Sequence, residues 1–319
     1  MIPLQRQNNF HHHKTDKTMK IKRLVFAGLF LMMALTLASA QVKLSFNPET
    51  GTKYEYQQEM LSSIKQNVMG QEIPVEMETS SMYLMEIMDK TPEEIKVQFT
   101  FQEITYIISS PMMRMGFDSK NPIENPSDMD NLFGKMLKGM LGSSIMMTFA
   151  PDGSVVSVTG MDAIAENMSS AVASDGQIAA QMAVQVKQQF SELSMKNSFE
   201  QAFKIYPDEP VRAGNSWTKE NVMPVNNMNT DFKTKYTLKN VNRNMATVVV
   251  EGTMAMEPSA GMEGKLAGTQ TGAIVVEAGT GLPVTGDVTQ NIKGTVSVQG
   301  MDVQMEMVNK VKSSIKAIK

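Results

Sequence analysis

Two kinds of side chain in this sequence could do chemistry: paired carboxylates and paired thioethers. Asp128/Asp130, Glu93/Glu94 and Asp208/Glu209 each bring two acids close together, and carboxylate pairs suffice for glycoside hydrolysis. Every pair falls in a turn-rich stretch or at the start of a helical pattern, where the helix dipole alone favours acidic residues. No catalytic residue is assigned from them. Met-x-Met occurs at Met113/Met115, Met254/Met256 and Met305/Met307. In a strand, residues i and i+2 share a face, and thioethers suit copper(I). The same spacing is what a half-buried strand needs, however. Met301, Val303, Met305 and Met307 make one such stripe, and Val303 is no ligand. Packing is the simpler reading, so no metal site is assigned and copper(I) binding stands as an alternative.

The missing residue types exclude more. The chain has 319 residues, no Cys and three His. Met19-Lys20-Ile21-Lys22-Arg23 is a basic run, Leu24 to Leu37 is uncharged and apolar, and Ala38-Ser39-Ala40 has the small residues of a cleavage site. Residues 19–40 read as a secretory signal peptide; the apolar run is short of the roughly 20 residues a spanning helix needs. Residues 1–18, which hold His11-His12-His13, precede the apparent start at Met19 and read as an upstream extension. No Cys follows the apolar run, so a lipidated cysteine is excluded. Cleavage after Ala40 removes all three His, six of the 30 basic residues and one of the 33 acidic ones. The remaining 24 and 32 give a net charge near −8 with neither His nor Cys. Ser-His-Asp and Cys-His machinery cannot be assembled, nor zinc, haem or iron–sulfur sites built on His or Cys. Acidic charge with only Arg114, Arg212 and Arg243 argues against nucleic acid as partner. No enzyme activity and no cofactor are implied.

The elements that would position a site are strands, then helices, then strands. Tyr54, Tyr56, Met60, Ile64 and Val68 alternate with polar residues, the mark of a strand with one wet face. Ile73 to Met88 is apolar on both faces, and reads as a strand covered on both sides. In the next run Ile95, Val97, Phe99 and Phe101 give way to Ile104, Tyr106 and Ile108, a phase change that predicts a β-bulge near Gln102-Glu103. Met129, Leu132, Phe133, Met136, Leu137, Met140 and Leu141 step by three and four, predicting a helix from Ser127 or Asp128 to Gly142. A hairpin around Pro151-Asp152-Gly153 follows. Met161 to Val172 predicts a second helix, and Ile178, Met182, Val186 and Phe190 mark a third running to Phe203. The C-terminal third is strand again, with Gly286 and Gly294 as candidate bulges.

The order predicts an α+β fold: a large, curved, half-barrel-like antiparallel sheet, with about three helices inserted mid-chain and packed on one face. Residues 41–319 are expected to form a single secreted domain. The mature chain has 27 Met against 10 Leu, an adaptable apolar inventory.

Three short elements carry a family resemblance: Phe149-Ala150-Pro151-Asp152-Gly153, Gly214-Asn215-Ser216-Trp217, and Gly272 followed by Gly279-Thr280-Gly281-Leu282-Pro283. On these the chain resembles a secreted Bacteroidota family, a domain of unknown function, many of whose members are lipoproteins. The layout is also similar to half-barrel carriers of lipids and lipoproteins in bacterial envelopes. That resemblance implies architecture only, because fold does not fix function.

The leading expectation is a soluble periplasmic or secreted carrier of an apolar ligand, a lipid or acyl chain, held between sheet and helices. Its expected lining is Tyr83, Met85, Phe99, Phe101, Phe133, Met136, Met140 and Trp217. A structural or interaction protein of the envelope without ligand is the other alternative. No permanent membrane span is expected once the signal peptide is removed.

Overall fold

The computed structural model describes residues 41–318 apart from 69, 174–175, 178–179, 182–183, 185–190, 226–227, 259–262 and 299–300. Residues 19–40, read above as a signal peptide, and the helix-marking residues Ile178, Met182, Val186 and Phe190 lie outside the described residues. Val42–Lys319 forms one compact unit.

The N-terminal strands are β1 (Lys53–Val68), β2 (Gln71–Lys90), β3 (Ile95–Ser109) and β4 (Arg114–Asp118). Helix α1 (Asp128–Lys138) leads to the hairpin β5 (Ser144–Phe149) and β6 (Val155–Thr159). Helices α2 (Met161–Ser170) and α3 (Glu192–Phe203) follow. The chain then returns to strands: β7 (Ser216–Val225), β8 (Met228–Asn242), β9 (Met245–Pro258), β10 (Glu263–Glu277), β11 (Pro283–Val298) and β12 (Met301–Ala317). All join one antiparallel sheet in the order β6-β5-β3-β2-β1-β12-β11-β10-β9-β8-β7, with β4 beside β3. Two meanders therefore grow outward from a central seam where the first strand pairs with the last. The predicted α+β sheet with helices inserted mid-chain is the observed architecture.

Helix α3 touches both β6 and β7, the two ends of the strand order. The edges are spanned by hydrogen bonds to that one helix: Val155 N–H of β6 donates to Glu200 Oε1 at 3.1 Å, and Gln201 Nε2 of α3 donates to Met223 Sδ of β7 at 3.2 Å. The sheet is thus curled around α3, yet β6 and β7 do not pair and the barrel stays open.

Period-two alternation fixes the inner face. Tyr54, Tyr56, Tyr83, Met85, Ile87, Val97, Phe99 and Phe101 are buried, and rings of this set meet Phe199 of α3 edge to face. Between them point Lys53, Glu55, Glu59 and Lys65, out to solvent or to the sheet's outer surface. The predicted two-sided covering of β2 is not found: Met82 and Leu84, in the outward phase, are only partly buried, and Met88, the extra residue of a bulge between Ile87 and Asp89, is 48% exposed. The bulge in β3 is where the phase change placed it. Tyr83 pairs with Phe101 and Met82 with Glu103, leaving Gln102 as the extra residue. Gly286 and Gly294 are not bulges, since register runs unbroken through both on either side. The shift on β11 is at Val284, because Val275 pairs with Thr285 and Val276 with Pro283. Gly294 serves close packing instead: a β-carbon there would collide with the Lys265 carbonyl oxygen.

Helix α1 begins where Ser127 and Asp130 form a reciprocal capping box. Asp130 does more than cap, because its Oδ1 also accepts the Gly116 N–H of β4 at 2.7 Å. Burial pushes its pKa up, but the hydrogen bonds from Ser127 and Gly116, with Arg114 nearby, outweigh that and hold it below the ordinary carboxylate value. Of the other acid pairs, Asp208 is salt-bridged to Lys219 at 2.7 Å, and the backbone carbonyl of Glu94 accepts the Thr91 N–H at 2.8 Å.

Candidate ligand groove between α3 and the sheet

Helix α3 starts at Ser191, whose hydroxyl accepts the Ser194 N–H. Met195, Phe199 and Phe203 lie at i, i+4 and i+8 and form its buried stripe. Phe199 sits 4.7 Å from the ring of Phe99 and about 6 Å from those of Tyr56 and Tyr83. Phe203 closes on Phe46 and Phe149 at 5.4 and 5.2 Å. This end of the strands is filled.

The family-like motifs assemble at that same end. Phe46 N–H donates to the Pro151 carbonyl, and Asn47 N–H to that of Thr280. Tyr206 donates its hydroxyl to the Gly281 carbonyl. Gly153 and Gly281 have φ of +81° and +71°, and a β-carbon on either would run into the backbone of Phe203 or of Ser45. The Gly214–Trp217 turn leads into β7, where Trp217 stacks on Tyr236 at 5.8 Å and donates Nε1–H to the Ile205 carbonyl at 2.8 Å. These glycines and aromatics are clips that seal one end.

Beside α3 the packing opens. One lobe, about 140 Å³, lies between α3 and β7 to β12; Tyr56, Phe232, Tyr236, Val250, Ile274 and Val288 face it from the sheet. A second, about 340 Å³, lies on the other side, lined by Met60, Tyr83, Phe101, Ile104, Leu137 and Met140. Gln58, Ser198, Gln201, Gln290 and Val311 line both. The lobes therefore adjoin under the polar flank of α3, as the two parts of a candidate groove. Its combined volume falls among the smaller ligand pockets, which run from about 300 to 1,000 Å³. The tyrosines at its walls are neutral. Burial lifts Tyr83 and Tyr236 to about 12 and Tyr56 higher.

Of the residues singled out from sequence, Tyr83, Phe101 and Met140 line the second lobe. Met85, Phe99, Phe133 and Met136 are packed into the main core, Phe133 against Tyr106 at 5.2 Å. Trp217 stands behind Tyr236, which itself faces the first lobe. The polar lining was missed. Its signal is a polar residue in the apolar phase of a strand, such as Gln58 between Tyr56 and Met60.

Farther along the strands, past the groove, a second apolar cluster occupies the inner face. Met254, Leu266, Ile292 and Val296 are buried there, with Phe232, Met256, Met305 and Met307 packed on them. Two of the three Met-x-Met pairs therefore belong to one cluster, on β9 and β12 with β10 and β11 between them, while Met113 is 53% exposed and lies elsewhere, just before β4. Among the described residues, no group of three or more His, Cys, Asp or Glu is placed to hold a metal ion.

Residues 92–283 match the model of DUF6263, a family of unknown function. The chain belongs to this family. The match starts in the β2–β3 turn and ends at the first residue of β11, so the central pairs β1–β2 and β11–β12 fall outside it. No curated protein sequence matches the chain. Among solved structures, lipovitellin, from a study of its lipid–protein interactions, is similar over 85% of this chain, at 9% identity and a TM-score of 0.42. This chain spans about a quarter of that one (26%). An outer membrane channel from Pseudomonas putida F1 is similar over 84% of this chain and 96% of its own, at 7% identity and a TM-score of 0.24. OccK7 (OpdD) of Pseudomonas aeruginosa covers 84% of this chain over all of its own, at 6% identity and a TM-score of 0.21. All three scores lie below 0.5, short of a shared fold. Among the described residues no helix is long and apolar enough to cross a membrane.

Proposed function

We propose that this family member is a secreted, soluble binding protein, not an enzyme, that carries an apolar or amphipathic molecule in the groove beside α3. One observation carries the reading: two lobes beside α3 adjoin at Gln58, Ser198, Gln201, Gln290 and Val311, and the sheet lines both with apolar side chains and a few uncharged polar ones. The outward phase of the central strands supports solubility. Glu55, Glu59 and Lys65 on β1 and Glu306, Lys310 and Lys312 on β12 put charge where a membrane barrel would carry its apolar band. Native mass spectrometry of protein purified from the envelope, with titration of an apolar fluorescent dye, tests it. Bound lipid and saturable dye uptake are expected, and Ser198→Trp, which fills the junction of the lobes, should abolish both. Absence of both in the wild type contradicts the proposal.

Copper(I) handling is kept as a second reading by a single observation, the presence of Met254/Met256 and Met305/Met307 in one apolar cluster. Competition against a chromogenic copper(I) chelator decides it; micromolar affinity or weaker ends the idea.

A further inference from the structure

Across the inner face runs a row of polar side chains in strict register. Ser62 of β1 pairs with Asn309 of β12, Asn309 with Gln290 of β11, Gln290 with Gln270 of β10, Gln270 with Gly252 of β9, and Gly252 with Thr234 of β8. Their side chains form a directional chain. The Ser62 hydroxyl donates to Asn309 Oδ1 at 2.7 Å, Asn309 Nδ2 to Gln290 Oε1 at 3.2 Å, Gln290 Nε2 to Gln270 Oε1 at 3.4 Å, and Gln270 Nε2 to Thr234 Oγ1 at 2.6 Å. The last link crosses a whole strand, and Gly252 makes that crossing feasible: a β-carbon there would sit 2.9 Å from Gln270 Nε2. Ser62, Asn309, Gln270 and Thr234 are buried. Apolar residues flank the row on both sides, Val250 and Val311 toward the closed end and Met254 and Ile292 toward the other.

A buried polar row between two apolar fields is costly unless its hydrogen bonds are used. Each amide in the chain donates one N–H and accepts one bond, which leaves a second N–H on Asn309, Gln290 and Gln270 without a protein acceptor among the described residues. Gln270, Gln290 and Thr234 line the first lobe. The row contains no charged residue, and a buried charge without a partner is strongly disfavoured. The geometry points to an uncharged, ester- or amide-bearing amphiphile as the ligand class. Its carbonyl oxygens accept from the spare amide N–H groups, and its alkyl part lies on the apolar rows to either side. This inference rests on the groove being a binding site.

The test uses the full mature chain loaded with an apolar naphthylamine dye. Monopalmitoylglycerol and palmitate compete for it at a pH where the carboxylate is ionised. These share an acyl chain and differ in head group. Monopalmitoylglycerol should displace the dye at a concentration at least about tenfold lower, tenfold being the effect of one good hydrogen bond. Gln290→Met and Gln270→Met should bring that ratio toward one, each ratio being taken against the variant's own dye affinity. A row that only pins strand register would lower the melting temperature in these variants and leave the ratio alone; that result overturns the inference. So does palmitate binding as tightly as the glyceride in the wild type, a result that needs no variant. If the wild type takes up no dye, the groove reading itself fails, and this inference with it.

Discussion

The two ends of the long strands are built from the same ribbon and solve different problems. At the closed end, Phe46, Tyr56, Tyr83, Phe99, Phe149, Phe199 and Phe203 interlock edge to face around α3, and family-like glycines clip the loops over them. At the open end, Met254, Leu266, Ile292 and Val296 pack with neighbouring methionines, and none of the described helices joins their cluster. Aromatic rings have two main torsions and lock into one arrangement; methionines have three and re-pack at little expense. The rigid end holds the sheet's curl and the soft end can follow a ligand. The groove and its polar row lie at the boundary.

The comparison can be broken most forcefully at the rigid end. Phe199→Ala removes the ring that meets Tyr56, Tyr83 and Phe99, and should lower the free energy of unfolding by about 3–5 kcal/mol. Urea denaturation measures it. A loss under about 1 kcal/mol would mean that α3 is not the centre of the core.

Ile292→Ala tests the soft end. Its neighbours Met305 and Met307 can collapse into the space, so the loss should sit near the lower end for such truncations, about 2 kcal/mol. A loss matching that of Phe199→Ala would erase the contrast between the two ends.

Much of this contrast is legible in the amino-acid order. The phase change between Phe101 and Ile104 marks the bulge at Gln102, and the three- and four-residue steps from Met129 locate α1 with its Ser127 cap. Those are local signals, each decided within a few residues. The polar row is not local: Ser62 and Asn309 stand 247 positions apart, and each looks like one more polar residue in a half-wet strand until register aligns them. Gly286 and Gly294 illustrate the opposite difficulty. A strand glycine marks either a bulge or a close approach of backbones, and only the paired strand tells which. Phe99 and Met136 are apolar and buried, as their spacing predicts. Whether they face a cavity or a neighbour depends on where Phe199 lies, which their own spacing does not encode.

A smaller effect sharpens the polar side of the comparison. Asp130→Ala removes one half of the α1 capping box and leaves Gly116 N–H without its partner, an expected loss of about 1–2 kcal/mol near neutral pH. Because the folded carboxyl is held below its ordinary 3.8, its contribution is present above that value and is lost as pH falls through the folded one. The gap between wild type and variant should therefore close on acidification. A gap that persists at low pH would place the stabilisation in packing and not in the carboxylate.

The central claim is that ligand enters the groove beside α3 and is not held by the methionine cluster alone. Methyl-labelled methionine NMR reads this directly, because the chain carries reporters at both places. On addition of monopalmitoylglycerol, Met60, Met140 and Met195 of the second lobe and Met223 of the first should shift, while the core residues Met85 and Met161 stay still. Shifts confined to Met254, Met256, Met305 and Met307, or no shift anywhere, would contradict the account.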